Sequence, residues 1–375
     1  MRILHLSKFY PPDPGGLEHV VASLAEGAAA RGHEVRVVCA TGSRWAGERR
    51  DADVEGGVEV VRLPTRGIWW SQPMAPGYLA AARWPADVVY LHRPHPLADL
   101  AVLLGPRRRT VVFHHADVQR QRAARLVYGP LAHAVARRAA ATVVATSAHL
   151  GHARDLGSAG RAKAVVIPYG TDETRFIPDP DAPRPAAFPL REAGPLALFV
   201  GRLVPYKGLD VLVRAAAAAG LGVVIVGDGP VRGELAELIS RLGVGKRVVL
   251  AGRVPASELP EYYQVADYFV LPSVSPAEMF GVSMLEAMAC GKPVISTGLG
   301  TGVGEVNQPG TTGLEVPPGD EQALKDAMER LARDSALRER LGVAARRRAA
   351  EEFSLAGMVE RHLELCEALV RGEAG

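Results

Sequence analysis

The sequence predicts an α/β protein made of two tandem, doubly wound parallel-sheet units. Three observations carry this. Short β-branched runs alternate with amphipathic or Ala-rich segments along the whole chain, the pattern of parallel strands crossed by helices. The alternation is interrupted once, by Pro178-Asp179-Pro180-Asp181-Ala182-Pro183-Arg184-Pro185, which is too proline-rich for either element and reads as a linker. Finally, 375 residues exceed one ordinary core and suit two.

In the first unit the apolar runs at 3–6, 35–38, 58–61, 88–91, 110–113, 142–145 and 165–167 read as strands. A second series follows at 196–200, 223–226, 248–250, 268–271 and 294–295. Between the last two, Val282-Ser283-Met284-Leu285-Glu286-Ala287-Met288-Ala289-Cys290 reads as a helix that stops at Gly291. From about 320 to 373 the chain reads as almost continuous helix, with Leu331, Leu337, Leu341 and Val343 at core spacing and Arg346, Arg347 and Arg348 on solvated faces. The boundaries that result are residues 1–180 and 186–353, with a terminal helix at about 354–371.

Composition narrows the class. Apolar residues make up 48% and charged residues 23%, as in a globular protein that is not membrane-embedded. No segment suits a membrane span, and Met1-Arg2-Ile3-Leu4-His5-Leu6 is too short for a signal peptide. Cys39, Cys290 and Cys366 lie too far apart for a zinc or redox motif, so a reducing cytoplasm is expected. Charge is unevenly spread. Residues 1–185 hold 24 Lys and Arg against 17 Asp and Glu, a net +7; subtraction from 44 and 41 leaves 20 against 24, or −4. Arg107, Arg108, Arg109, Arg120, Arg122, Arg125, Arg137 and Arg138 concentrate that charge, which suits an anionic acceptor or the inner membrane face, or else a solvated surface. No stacking aromatics accompany it, which disfavours nucleic acid.

The most informative stretch is Pro276-Ala277-Glu278-Met279-Phe280-Gly281-Val282-Ser283-Met284-Leu285-Glu286. Two carboxylates bracket a Phe280-Gly281 turn that opens a helix. The first-turn N–H groups of Gly281, Val282 and Ser283 suit a diphosphate, and flanking carboxylates can accept hydrogen bonds from sugar hydroxyls. Glu286 sits on an otherwise small or apolar helix and therefore needs a partner. Upstream, Gly201-Arg202-Leu203-Val204-Pro205-Tyr206-Lys207-Gly208 puts two cations on a loop at the end of a parallel strand, where such folds bind ligands. Arg202 and Lys207 would oppose charge on a leaving diphosphate. In the first unit, Tyr10-Pro11-Pro12-Asp13-Pro14-Gly15-Gly16 could bring phosphates to Gly15 and Gly16 at a helix start. His92, His95, His114, His115 and Asp117 match no metal-ligand spacing. The Asp-x-Asp pairs at 51/53 and 179/181 read as incidental, one in a charged surface loop and one in the linker.

These motifs together resemble retaining glycosyltransferases of the glycogen-synthase-like superfamily, in the large family-4 group. The resemblance implies the GT-B fold, two Rossmann-like domains facing a cleft with the last helix returning to the N-terminal domain. It implies hexose transfer from a nucleoside-diphosphate sugar to a glycan or lipid-linked hydroxyl, with retention and no metal or cofactor. Gly229 in Gly227-Asp228-Gly229-Pro230 would approach the nucleotide, the backbone of Arg253 and Val254 the base, and Glu286 the ribose. Glu278 would bind the transferred sugar, with His115 (or its neighbour His114) beside the anomeric carbon and Asp117 toward the acceptor. Segments 93–100, 114–121 and 296–308 are similar to bacterial O-antigen and exopolysaccharide mannosyltransferases, which implies GDP-mannose; Ala116 departs from the hydroxyl residue more usual there. A UDP-sugar donor is the alternative. The rival readings are a nucleotide-sugar 2-epimerase and a non-catalytic sensor.

Overall fold

The computed structural model describes residues 1–13, 16–41, 50–69, 72–115, 122–186, 188 and 194–373, leaving aside the side chains at 50–52 and 122–127. The chain forms two units, Met1–Tyr169 with Leu355–Gly375, and Gly170–Ser354.

The first unit is built on β1 (Arg2–Leu6), β2 (Glu34–Ala40), β3 (Arg50–Glu55), β4 (Val58–Leu63), a small hairpin of β5 (Ile68–Trp69) and β6 (Gln72–Pro73), then β7 (Val88–Arg93), β8 (Arg109–His114), β9 (Ala141–Val144) and β10 (Ala164–Val166). Its main sheet runs β10-β9-β8-β7-β1-β2-β4-β3. All neighbours pair in parallel except the edge strand β3, which pairs antiparallel with β4. The order reverses between β1 and β7, so the loops after those strands diverge and leave a crevice at their carboxyl ends. Helix Leu355–Arg371 is part of this unit. It packs on helix Gly16–Ala29, where Val359 closes on Gly27, and it is tied to the sheet by Tyr90 Oη with the backbone carbonyl of His362 (3.2 Å) and by Arg109 Nε donating to Leu369 O (2.7 Å).

In the second unit β11 (Leu196–Val200), β12 (Gly222–Val226), β13 (Val248–Gly252), β14 (Tyr268–Leu271), β15 (Val294–Thr297) and β16 (Gly313–Val316) form a wholly parallel sheet ordered β13-β12-β11-β14-β15-β16. Both faces are covered, so β11, β12, β14 and β15 are buried along their whole length. The switch point falls between β11 and β14.

Several sequence expectations need correction. The unit boundary lies at 169/170, so residues 178–185 belong to the second unit rather than to a linker. There Asp179 Oδ1 accepts from Asp181 N (2.9 Å), Gln264 Nε2 donates to Ile177 O (3.1 Å), and Phe188 packs on Tyr262. The charged segment around Asp53 is strand β3, not a loop; Asp53 lies opposite Val60 in the ladder and forms an ion pair with Arg62 at 3.7 Å. Val343 is 66% exposed, whereas Leu331, Leu337 and Leu341 are buried. Arg348 is not merely solvated: Nε and Nη2 donate to the carbonyls of Val306 (3.1 Å) and Glu305 (2.7 Å).

Candidate active site

The second unit concentrates its polar groups at the switch point. Beyond β11, Leu203 N donates to Asp228 O (3.0 Å), and the two loops interlock so closely that a Cβ on Gly229 would lie 2.2 Å from the Leu203 carbonyl oxygen. Gly229 is thus required by loop-on-loop packing. Arg202 stands exposed on this loop, while Lys207, in the short turn Pro205–Lys207, is buried. The Lys207 ammonium donates to Glu278 Oε2, which also accepts from Ser273 Oγ at 3.0 Å. Burial opposes the charge on Lys207, but the Glu278 carboxylate, with Tyr206 beside it, outweighs burial and holds Lys207 above its ordinary value. Glu278 Oε1 receives no hydrogen bond among the described residues, and its main-chain oxygen accepts from Thr301 Oγ1 (2.8 Å). One carboxylate oxygen is anchored and the other is available.

Next to this pair the chain turns at Gly281, φ +81°, a left-handed conformation that disfavours any side chain, and a Cβ there would meet Leu271 at 2.7 Å. Helix Val282–Ala289 begins at that residue without a side-chain cap. Its first N–H groups and positive dipole end therefore have the chemistry to receive an anion. One turn on, Glu286 accepts from Tyr263 Oη at 2.5 Å. Burial pushes its carboxyl up to about 7, against the opposing effects of Tyr263 and the Arg175 charge. Phe280 is buried and packs edge-on against Phe353. Arg253 is exposed and 3.9 Å from Asp228, with half-buried Val254 following.

In the first unit the crevice at the switch point is lined by Ser7, Lys8, Glu18, His92, Arg93 and His115. Gly16 opens helix Gly16–Ala29, and among the described residues nothing lies within 4 Å of where its Cβ would stand. Gly15 and Asp117 lie outside the described residues. His115 is buried with both ring nitrogens engaged: Nδ1 is 2.7 Å from Tyr169 Oη and Nε2 is 3.0 Å from His92 Nδ1. His114 is buried as well and tilts against His149 with ring centroids 5.3 Å apart. Below the crevice, Arg93 and Asp99 form a fully buried ion pair at 3.3 Å, and Tyr128 bridges them by accepting from Arg93 Nε and donating to Asp99.

Sequence reasoning missed Ser273, Thr301, Tyr263, Tyr169, Lys8 and the link between His92 and His115. Only the carboxylate on a small-residue helix signalled that a partner such as Tyr263 was needed. The arginine cluster is also less free than its sequence suggests. The side chains of Arg120, Arg122 and Arg125 lie outside the described residues; Arg108 and Arg138 donate to the carbonyls of Arg83 (2.9 Å) and Gly105 (2.9 Å), Arg109, itself exposed, donates to that of Leu369, and Arg107 and Arg137 are exposed. These residues lie at the amino ends of β8 and β9, opposite the crevice.

Known proteins match this chain in sequence and fold. Residues 184–348 fit the family described as glycosyl transferases group 1, and residues 15–170 fit the glycosyl transferase 4-like domain. D-rhamnosyltransferase WbpZ of Pseudomonas aeruginosa is 34% identical over 346 residues, which span 88% of this chain and 86% of that protein. The chain belongs to the group 1, family-4-like glycosyltransferases. An Escherichia coli O-antigen chain mannosyltransferase C is 29% identical over the full length of both chains. A GDP-mannose-dependent α-(1-6)-phosphatidylinositol monomannoside mannosyltransferase of Mycolicibacterium smegmatis is 30% identical over 92% of each. Among solved structures, sucrose-phosphate synthase of Thermosynechococcus elongatus superposes with a TM-score of 0.83 at 24% identity, covering 99% of each chain. Anabaena HepE in complex with UDP and glucose gives 0.78 at 22%, covering 98% of this chain and 100% of that one. The fold is GT-B, and this glycosyltransferase shares it with both solved structures.

Proposed function

We propose that this glycosyltransferase moves mannose from GDP-mannose to a glycan or lipid-linked hydroxyl, with retention of configuration and without a metal ion. The observation that carries the transfer chemistry is the buried Lys207–Glu278 pair beside the uncapped helix start at Gly281. A preorganised ammonium and helix N–H groups in a water-poor site stabilise a leaving diphosphate by several kcal/mol. Arg202, exposed on the same loop, adds a second cation when the donor binds. Glu278 Oε1 accepts a hydroxyl of the transferred sugar, and Glu286 accepts the ribose diol.

In the step itself the bond from the anomeric carbon to the phosphate oxygen breaks and the acceptor oxygen bonds to that carbon on the same face. The acceptor proton passes to the departing phosphate oxygen, so charge and atoms balance without an enzymic nucleophile. His115 belongs to the sugar's anomeric end, where it offers its main-chain carbonyl and ring face because both ring nitrogens are engaged. Asp117 is assigned to the acceptor, and the backbone of Arg253 and Val254 to the base. The choice of mannose and GDP rests on the mannosyltransferase relatives and on segments 93–100, 114–121 and 296–308.

Donor screening with detection of released nucleotide tests this reading, alongside titration calorimetry with GDP, UDP and ADP. GDP should bind most tightly, GDP-mannose should turn over to an α-linked product, and EDTA should leave the rate unchanged. Preference for UDP with turnover of UDP-glucose overturns the donor and leaves the Lys207, Glu278 and Glu286 roles standing. Release of free sugar without acceptor favours the epimerase reading.

A further inference from the structure

The first unit contains a feature the transfer chemistry has not used. Four side chains from separate parts of the chain form one buried hydrogen-bonded row: His5 Nδ1 to His92 Nε2 (3.0 Å), His92 Nδ1 to His115 Nε2 (3.0 Å), and His115 Nδ1 to Tyr169 Oη (2.7 Å). The rings lie nearly parallel, 16° between His5 and His92 and 6° between His92 and His115. All four side chains are buried.

A neutral imidazole has one N–H and one lone pair, and the bond made by one nitrogen fixes the proton on the other. In this row each link joins Nε2 of one histidine to Nδ1 of the next. Either Tyr169 donates inward and every ring carries its proton on Nε2, or His5 donates outward and every ring carries it on Nδ1. Mixed tautomers would set two protons or two lone pairs against each other. We propose that His5, His92 and Tyr169 are positioning residues that lock His115 in a single neutral tautomer and a fixed ring plane, and that turnover depends on it. This rests on the assignment of His115 to the transferred sugar. A neutral ring there adds no positive charge beside a carbon that becomes cationic as the phosphate leaves.

Burial supports neutrality, driving His92 and His115 well below the ordinary imidazole value and His5 to about 3. The other titratable groups whose fields reach the row are Lys8, His95, His114, His149 and His362. Lys8 is itself pushed down to about 8 by burial, against Glu18 and Asp99.

The test is a histidine ¹⁵N spectrum of the full-length protein, which reads tautomer and charge ring by ring, combined with kinetics. In the wild type His5, His92 and His115 should share one tautomer and stay neutral from about pH 5.5 to about pH 8. Tyr169→Phe and His92→Phe should scramble the His115 tautomer and lower kcat about tenfold or more, with donor KM unchanged. His92→Gln, which keeps a donor and an acceptor, should recover part of kcat. If His92→Phe does not fold, Tyr169→Phe loses only a hydroxyl and carries the test alone. Different tautomers or a charged ring in the wild type overturn the proposal. So does a scrambled His115 in Tyr169→Phe with kcat intact while His115→Ala loses activity. Intact kcat in His115→Ala overturns the assignment of His115 to the sugar, and the proposal falls with it.

Discussion

The two units solve the same topological problem with opposite electrostatics. Each places its polar groups at the carboxyl ends of the strands flanking a switch point, β1 and β7 in the first, β11 and β14 in the second. The second unit puts a formal charge pair there, Lys207 with Glu278, beside a helix dipole. The first puts a row of neutral imidazoles there, with a fully buried ion pair, Arg93–Asp99, bridged by Tyr128. Glycosyl transfer separates charge, leaving a diphosphate negative and an anomeric carbon positive. A charged site suits the first of these and a neutral, hydrogen-bonded one the second.

The largest expected effect comes from removing the charge in the second unit. Lys207→Ala should lower kcat about 10²-fold or more. It should also cost about 3–5 kcal/mol of stability, because Glu278 is left buried with only Ser273 on its anchored oxygen. Circular dichroism melts and kinetics on the same preparation separate the two losses. Glu278→Gln, which keeps the shape, should lose kcat with a smaller drop in melting temperature. Equal kinetics for Lys207→Ala and wild type would remove the contrast between the units.

A tenfold effect is expected from pH. The raised Glu286 carboxyl is largely protonated below about 7, and two hydroxyls donating to it favour the ionised form. Donor affinity should therefore rise about tenfold between about pH 6 and about pH 8, and the rise should vanish in Glu286→Gln. Stability runs the other way. A carboxyl raised above its unfolded value contributes stability that is complete below the ordinary carboxylate range and is lost as pH rises through about 7. Titration calorimetry with GDP and UDP across this range measures the first trend, and urea melts the second. Flat affinity would detach Glu286 from the ribose.

How much of this was legible in the sequence divides along the same line. In the second unit the motifs lie within short continuous segments, so Lys207, Glu278, Gly281 and Glu286 could be picked out by residue type and local geometry. The strands of its sheet were legible because burial on both faces makes continuous apolar runs; only β16, which begins with Gly313 and carries Glu315, escaped. The first unit's histidine row could not be read. His5, His92 and His115 meet only because β1, β7 and β8 are sheet neighbours, with His5 level with Tyr90 and His92 level with Phe113, and nothing local announces that order. Edge strand β3 was hidden by its charges. The arginine cluster misled for a related reason: a guanidinium counts as surface charge in a sequence, whether it meets solvent or completes a carbonyl.

That last point sets the smallest effect, on the charge that remains free. If the first unit docks on an anionic membrane, exposed Arg107 and Arg137 contribute more to the contact than Arg108, Arg109 and Arg138, whose guanidiniums hold main-chain carbonyls. A basic residue near such a surface contributes about 1 kcal/mol, so Arg107→Ser should weaken binding to phosphatidylglycerol vesicles by about fivefold at low salt. Screening should shrink this as the Debye length falls toward about 8 Å at physiological ionic strength. Arg108→Ser should instead lower the melting temperature, because its guanidinium closes the turn after helix Tyr78–Ala81. Vesicle co-sedimentation across a salt series, with melts on both variants, distinguishes the two arginines. Binding indifferent to salt and to Arg107 would return the basic half of the chain to an ordinary solvated surface.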